Sequence, residues 1–446
     1  MNWRHLSLVR ALSVTGLLVM ALASPSATRA DSDESNPRPD VVATETVSIL
    51  DARKAGDLSV TVRGAGQRQV KMTLKNESDR RLQVVLPPGL VASSVAGQPG
   101  GGGGFQSMGL GSVSNRPGSF GAFRAASRPE SGAFQSVGVA PNEANALVVP
   151  AGQSVELPIT AVCLNYGVAT PTPRDTFELV TVQDYTTDPR VRKALISLAT
   201  YGSSHGVAQA AMWRVCNDVP FPVMARQAAK FMNSHEVALA ARFVEVLDSS
   251  AGEELVDPAY LQDGRLFVRV IGDGALADDA ARLAGEVDGL HMLGLPVRSG
   301  EEARVASPAM RINVVLTGSD AGETRGRILL ERADASGQWA PLGKTSFVET
   351  STVSVLDGAG LARAVERAVA STYVNVKPSR KDVGLTTFRV ENRLPFTIGK
   401  LIVRAGTSTG APTVEVNGLG VAPARIGVFQ VAAPTVLVEG IEFNGL

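Results

Sequence analysis

The sequence predicts a multi-domain α+β protein. Its expected order is an N-terminal antiparallel β-sandwich, a small helical subdomain, an α/β domain with a split βαβ-like pattern, and a C-terminal β-sandwich-like domain. Three observations lead there. Short runs that alternate in polarity or are β-branched, separated by Gly, Pro and Asn turn clusters, fill residues 46–175 and 383–446. From 176 to 250 the hydrophobic period becomes that of a helix. From 262 to 376, strand-like and helix-like segments alternate. A length of 446 residues accommodates several domains of roughly 100–200 residues. With 44% hydrophobic and 19% charged residues, the composition is globular rather than disordered.

Residues 1–30 have the features of a secretory signal peptide. Arg4, His5 and Arg10 make a basic start, 12–23 is apolar, and small residues precede Ala30. The apolar stretch is shorter than the roughly 20 residues of a membrane span, which favours a cleaved signal over an anchor. The expected mature protein is secreted, periplasmic or at the cell surface, and carries no transmembrane segment. Residues 31–45, acidic and proline-containing, read as a disordered lead-in. Lys plus Arg and Asp plus Glu are balanced at 43 each. Removing 1–30 takes away three arginines and no acid, leaving a net charge of −3 that argues against nucleic acid as a partner.

In the first β region, 58–62 (LSVTV), 70–74 (VKMTL), 82–86 (LQVVL) and 155–162 (VELPITAV) read as strands. Asn76-Glu77-Ser78-Asp79 is a hairpin turn, and Pro87-Pro88-Gly89 closes the third strand. Number and spacing suggest a sandwich of immunoglobulin-like size, without a Cys–Trp–Cys core. The glycine-dense stretch 97–138 reads as a flexible loop, since its composition cannot bury enough apolar surface to offset the entropy of ordering it. Inside it, Phe105-Gln106-Ser107-Met108-Gly109-Leu110 recurs as Phe134-Gln135-Ser136-Val137-Gly138-Val139, so one copy is a candidate strand.

For the helical subdomain, Asp188 is the expected cap, Pro189 the first-turn residue, and Gly202 the stop. Further helices are expected at 207–215, 223–232 and 236–247, the last behind a Ser234 cap. The α/β region reads as a strand at 265–271, a helix at 276–287, strands at 311–316, 327–331 and 345–348, a helix at 361–370 and a strand at 374–377. That order is one strand more than a split βαβ unit needs. Residues 377–381 read as a basic, solvated hinge. Strands follow at 387–391, 401–404, 414–416, 427–431 and 436–439. KMTLKN at 71–76 and TFRVEN at 387–392 both end on Asn before a turn, which suggests a duplicated β-module.

No metal site or cofactor is expected. His205, His235 and His291 are scattered singly, and Asp273, Asp278 and Asp279 lack the alternation of a calcium loop. Gly202-Ser203-Ser204-His205-Gly206 matches Gly-x-Ser-x-Gly and makes Ser204 a weak nucleophile candidate. The preceding segment is helical in pattern where a nucleophile elbow needs a strand, so a turn between two helices is the favoured reading. The remaining constellation is Cys163 with Gln209, Trp213 and Cys216. The last three fall at i, i+4 and i+7, on one helix face among apolar neighbours. An unpaired amide there costs about 1–3 kcal/mol, so Gln209 needs a partner.

Cys163 closing a strand, followed by Ala208-Gln209-Ala210-Ala211-Met212-Trp213, resembles the thioester (TQXA-type) domains of bacterial surface proteins. The resemblance implies a bond between the Cys163 thiol and the Gln209 side chain, formed with release of ammonia and able to capture an amine on a target. Trp213 matches the motif's aromatic residue, while Ala208 stands where the family has Thr. Cys216 offers Cys163 a disulfide instead. Disulfide, free thiols and thioester all remain open at this point. The expected function is that of an exported non-enzymatic protein for extracellular or cell-envelope interaction or scaffolding. Its expected partner is an extracellular or envelope protein or polysaccharide. A thioester-type adhesin is the alternative, and a serine hydrolase using Ser204 the second.

Overall fold

A computed structural model of the chain describes residues 44–94, 106–113, 133–134, 147–250, 252, 255–256, 266–300, 305–306, 308–320, 322–334, 336–350, 356–382, 384–408 and 410–445. The expected signal peptide, the lead-in up to residue 43 and most of the expected loop 97–138 lie outside the described residues. The fold is mixed α+β with several sheets.

The first β region begins with β1 (Thr44–Ser48) and the short helix α1 (Ile49–Ala55). It continues through β2 (Leu58–Gly64), β3 (Gln69–Asn76), β4 (Arg81–Val85), β5 (Leu90–Ser94) and β6 (Met108–Val113). The two-residue β7 (Ala133–Phe134), β8 (Leu147–Val149), β9 (Ser154–Cys163) and β10 (Thr176–Thr181) complete it. Six strands close a barrel in the order β10-β2-β3-β9-β6-β5, beside a three-stranded sheet β1-β4-β8. Where two separate sheets were expected, hydrogen bonding thus runs around a barrel. The cause is the length of β9: it pairs with β3 along 154–160 and with β6 from 159 to 163, bridging what would be two sheets. The segment 97–138 is also not simply a loop. β6 lies within it, with Met108 and Leu110 buried. A Cβ on Gly109 would lie 2.6 Å from Leu195, so this glycine permits close packing rather than mobility.

The helices follow as α2 (Val182–Tyr185), α3 (Pro189–Tyr201), α4 (His205–Asn217), α5 (Phe221–Gln227) and α6 (Ser234–Ser249), with β11 (Ser203–Ser204) between α3 and α4. Asp188 caps α3 by accepting from Arg190 N at 2.8 Å, and Gly202 ends it at φ +75°. The cap of α6 is Asn233, not Ser234. Asn233 and Glu236 exchange side-chain to backbone bonds in a capping box, leaving Ser234 as the first helical residue.

The α/β region contains β12 (Leu266–Ile271), α7 (Ala277–Val287), β13 (His291–Met292), β14 (Leu295–Ser299), β15 (Met310–Asp320), β16 (Glu323–Ala333), β17 (Trp339–Thr350) and α8 (Gly358–Tyr373). Its sheet order is β13-β14-β12-β15-β16-β17, with β12 parallel to both neighbours. This is not the expected split βαβ arrangement. The hairpin β13–β14 turns on Leu293 and Gly294, both at positive φ, and supplies an unexpected pair of strands. The strand starting at 374 leaves the sheet altogether. It is β18 (Val374–Asp382), which runs through the expected hinge and pairs with β19 (Leu385–Asn392).

The last strands are β20 (Ile398–Ala405), β21 (Thr413–Val421), β22 (Ile426–Val431) and β23 (Val436–Phe443). They form two three-stranded sheets with β18 and β19, in the orders β18-β19-β22 and β21-β20-β23. The corner at Asn76 recurs here at Asn392, and both residues are fully buried. Asn76 Nδ2 donates to Arg80 O at 2.7 Å and Val149 O at 3.0 Å, while its Oδ1 accepts from Ser78 N. Asn392 Nδ2 donates to Phe396 O at 2.7 Å and Val421 O at 2.8 Å, and its Oδ1 accepts from Leu394 N. The backbone N–H groups of Asn76 and Asn392 donate to Gln153 O and Arg425 O, each four residues past the carbonyl its side chain holds. The residues before those, Gly152 and Ala424, are both left-handed, at φ +64° and +56°. One β-corner is therefore built twice, with β3, β4, β8 and β9 corresponding to β19, β20, β21 and β22.

Candidate functional site

The site grows from a mismatch in strand length. β3 stops pairing with β9 at Thr160, and Ala161 N still reaches Arg68 O at 2.8 Å. Two residues on, Cys163 turns its N–H and C=O to the same side with no strand left to meet them. Gln209, one turn into α4, takes that place. Its Oε1 accepts from Cys163 N at 2.9 Å and its Nε2 donates to Cys163 O at 2.9 Å. The sequence reading paired Cys163 with Gln209, and the fold brings them together across 46 residues. The contact runs through the Cys163 backbone. Cys163 Sγ donates instead to Gln67 O at 3.6 Å, and burial pushes this thiol up to about 12.

The same helix face continues the grip. Trp213 meets Tyr166 edge-on, with ring centroids 5.1 Å apart, and Asn217 Oδ1 accepts from Tyr166 N at 3.0 Å. Residues 209, 213 and 217 thus hold 163–166 along successive turns of α4. Cys216 sits apart from this line, near the charges of Asp188 and Arg190 at the start of α3, and burial also pushes its thiol up to about 12. Both cysteines are free thiols.

Ser204 is the N-cap of α4. It is fully buried, and its Oγ accepts from Val207 N at 3.3 Å. The Gly-x-Ser-x-Gly stretch is therefore the end of α3, a two-residue strand paired with β7, and the start of α4. His205 donates from Nε2 to Ala161 O at 2.9 Å, so its Nδ1 carries the lone pair and has no hydrogen-bond partner among the described residues, Ser204 included. Burial first, and then the Arg68 charge, push this imidazole down to about 3. His235 accepts from Arg332 at 2.8 Å, and His291 is exposed on β13. Among the described residues no three His, Cys, Asp or Glu side chains gather as a metal ion requires.

Sequence reasoning missed the charges around His205. Glu236, nearly fully buried, receives Arg425 at 2.7 Å and caps its own helix through Asn233. Arg68 from the barrel and Arg425 from the last β region both donate to Phe231 O, at 2.8 and 3.1 Å. Asn233 Nδ2 adds a bond to Pro423 O at 2.8 Å. A Cβ on Gly206 would lie 2.3 Å from the Glu236 carboxylate, so this glycine lets α4 approach α6. The capping box Asn233-x-x-Glu236 was legible as a local signal. Arg425, 189 residues downstream, was not.

Chemically, the arrangement holds a neutral imidazole, two protonated thiols, a paired carboxylate and a capping hydroxyl. The Cys163 thiol, the carboxylate and the capping hydroxyl are each engaged by backbone or by charge, while the imidazole Nδ1 has no partner among the described residues. No family model, no curated protein and no solved structure matches the chain.

Proposed function

We propose that the chain is an exported, non-enzymatic protein of the cell envelope or exterior, acting in interaction or scaffolding. The observation that carries this reading is the two-ended hydrogen bond of Gln209 to the Cys163 backbone. The group with the clearest capacity for covalent chemistry thereby serves as a substitute strand. A thiol pushed up to about 12 is a poor nucleophile at neutral pH. Ser204 spends its hydroxyl on a helix cap, and the neutral His205 beside it bonds to Ala161 O and not to Ser204. The composition of residues 1–30 supports export. No helix among the described residues is long and apolar enough to cross a membrane. Two β-regions that share one corner, with helices between them, make a scaffold of repeated modules.

The second reading, a thioester adhesin, is favoured by one fact: the fold seats the Gln209 amide against Cys163 in a buried place. In that reading Sγ attacks Cδ of Gln209, the C–N bond breaks, and ammonia leaves with the thiol proton. Intact mass of the exported protein separates the two. An unchanged mass of the processed chain, with two thiols titrating after unfolding, supports the scaffold. Loss of one ammonia together with capture of methylamine overturns it. Labelling of Ser204 by a fluorophosphonate would overturn it in favour of a hydrolase.

A further inference from the structure

The sequence contains the dipeptide Asn-Gly twice, at Asn417-Gly418 and Asn444-Gly445. That dipeptide has its own chemistry. The backbone nitrogen after an asparagine can reach the carbonyl carbon of the asparagine side chain, and glycine offers no side chain to block the approach. Whether the two atoms meet depends on how the fold holds the carboxamide. The two copies are held very differently.

Asn444 is fastened. It is half-buried, its Nδ2 donates to Gly202 O at 2.8 Å, and its backbone N–H donates to Thr397 O at 3.3 Å. Gly445 behind it is buried. Asn417 is open. It is exposed on β21, an edge strand of the sheet β21-β20-β23, and its side chain has no hydrogen bond among the described residues. Each of the other described asparagines is bonded through its side chain.

The backbone at Asn417 is also irregular. β21 pairs with β20 from Thr413 opposite Arg404 to Asn417 opposite Lys400, and the register slips directly beyond. Gly418, Leu419 and Gly420 stand opposite Gly399 alone before pairing resumes between Val421 and Ile398. Gly418 and Gly420 both have positive φ, +67° and +55°, as a strand carrying surplus residues tends to need.

We propose that Asn417 is a modification site, at which the chain converts itself spontaneously to aspartate and isoaspartate. The Gly418 amide nitrogen attacks Cγ of Asn417 and forms a new C–N bond. The bond from Cγ to Nδ2 breaks, and ammonia leaves with the Gly418 amide proton, closing a succinimide ring. Water then adds to either ring carbonyl. Opening at one gives aspartate; opening at the other gives isoaspartate, with one extra carbon in the main chain of β21. The place of the change gives it a consequence. Asn417 stands directly opposite Lys400, which already pairs with Glu415 at 3.1 Å and Glu442 at 3.0 Å. A carboxylate at 417 adds a third acid around one lysine on the same face of the sheet. The protein thus accumulates a more acidic form with age.

Peptide mapping of the purified full chain, aged in mildly alkaline buffer, tests the proposal. Trypsin cleavage after Arg404 and Arg425 puts the two sites on separate peptides, 405–425 and 426–446. The first peptide exchanges an amide for an acid, splits into two isomers, and accepts a methyl group from an isoaspartyl methyltransferase. The second reacts at least about tenfold more slowly, because Asn444 must first open a local contact. In urea both peptides react at similar rates, which assigns the difference to the fold. Asn417→Gln abolishes the change in 405–425 and leaves the melting temperature unchanged, since the side chain is exposed. No reaction in 405–425, or equal rates at both sites in the folded protein, overturns the proposal. So does a change in 405–425 that persists in Asn417→Gln, or one that yields aspartate without isoaspartate.

Discussion

His205 and Gln209 lie one helical turn apart and solve opposite problems. Gln209 supplies a donor and an acceptor to a strand end that would otherwise be buried with both groups unmet. Replacing it with Ala strands the Cys163 N–H and C=O, and should lower unfolding free energy by about 2–4 kcal/mol. Chemical denaturation with urea measures this. A loss below about 0.5 kcal/mol would mean that water or another side chain satisfies the strand end. His205 is folded as the neutral imidazole, pushed down to about 3, against an ordinary value of 6.5. The unfolded chain therefore binds the extra proton between those two values. Its contribution to stability is complete above about pH 6.5 and is lost as pH falls toward 3, at up to about 1.4 kcal/mol per pH unit. His205→Gln keeps a donor for Ala161 O and should flatten the slope of unfolding free energy against pH across that window. An unchanged slope would place the titration elsewhere.

Among the elements, the repeated β-corner offers a comparison within one chain. Asn76 and Asn392 each tie a turn to a neighbouring strand through two donors and one acceptor, in full burial. Asn76→Ala and Asn392→Ala should each destabilise by about 2–4 kcal/mol. Their effects on a shared unfolding transition should add, because the two corners share no bonding partner. Strong non-additivity in the double variant would show coupling between the corners. The corners differ at one backbone position, with Gly152 at φ +64° and Ala424 at φ +56°. Alanine meets a steric penalty there of roughly 1 kcal/mol that glycine escapes. Ala424→Gly should therefore stabilise by a few tenths to about 1 kcal/mol, after the loss of backbone entropy that glycine brings. A melting temperature that falls would refute this.

At the scale of the whole molecule, the junction of Arg68, Glu236 and Arg425 joins barrel, helices and the last β region. Most of the buried apolar residues described pack into one large core, and this ionic junction lies where the barrel, the helices and the last β region meet. Glu236→Gln keeps volume and the capping geometry while removing the charge that meets Arg425. With Glu236 buried and Arg425 half-buried, the loss should be about 2–4 kcal/mol. Thermal unfolding should stay in one step. A separate early transition, with the last β region melting first, would show that this pair is what couples the parts.

Much of the local structure was legible because its causes are local. Asp188 and Pro189 start a helix, Gly202 stops it, and the stripe between them points inward, all within one short window. The Asn-ended strands at 76 and 392 announced a repeated corner for the same reason. Even the need of Gln209 for a partner followed from helical spacing alone. What the tertiary structure decided was every matter of which distant groups meet. β9 outlasts its pairing with β3 by three residues, and only that mismatch makes Cys163 the partner of Gln209. The glycine-rich stretch yields a buried strand because Leu195, far along the chain, fills the space a side chain would need. The strand at 374 joins the last β region and not the sheet before it, since its partner is β19. Arg425 reaches Glu236 across 189 residues. Periodicity and capping act over a few residues and are written in sequence; strand pairing and buried charge contacts are chosen by the closure of the whole chain.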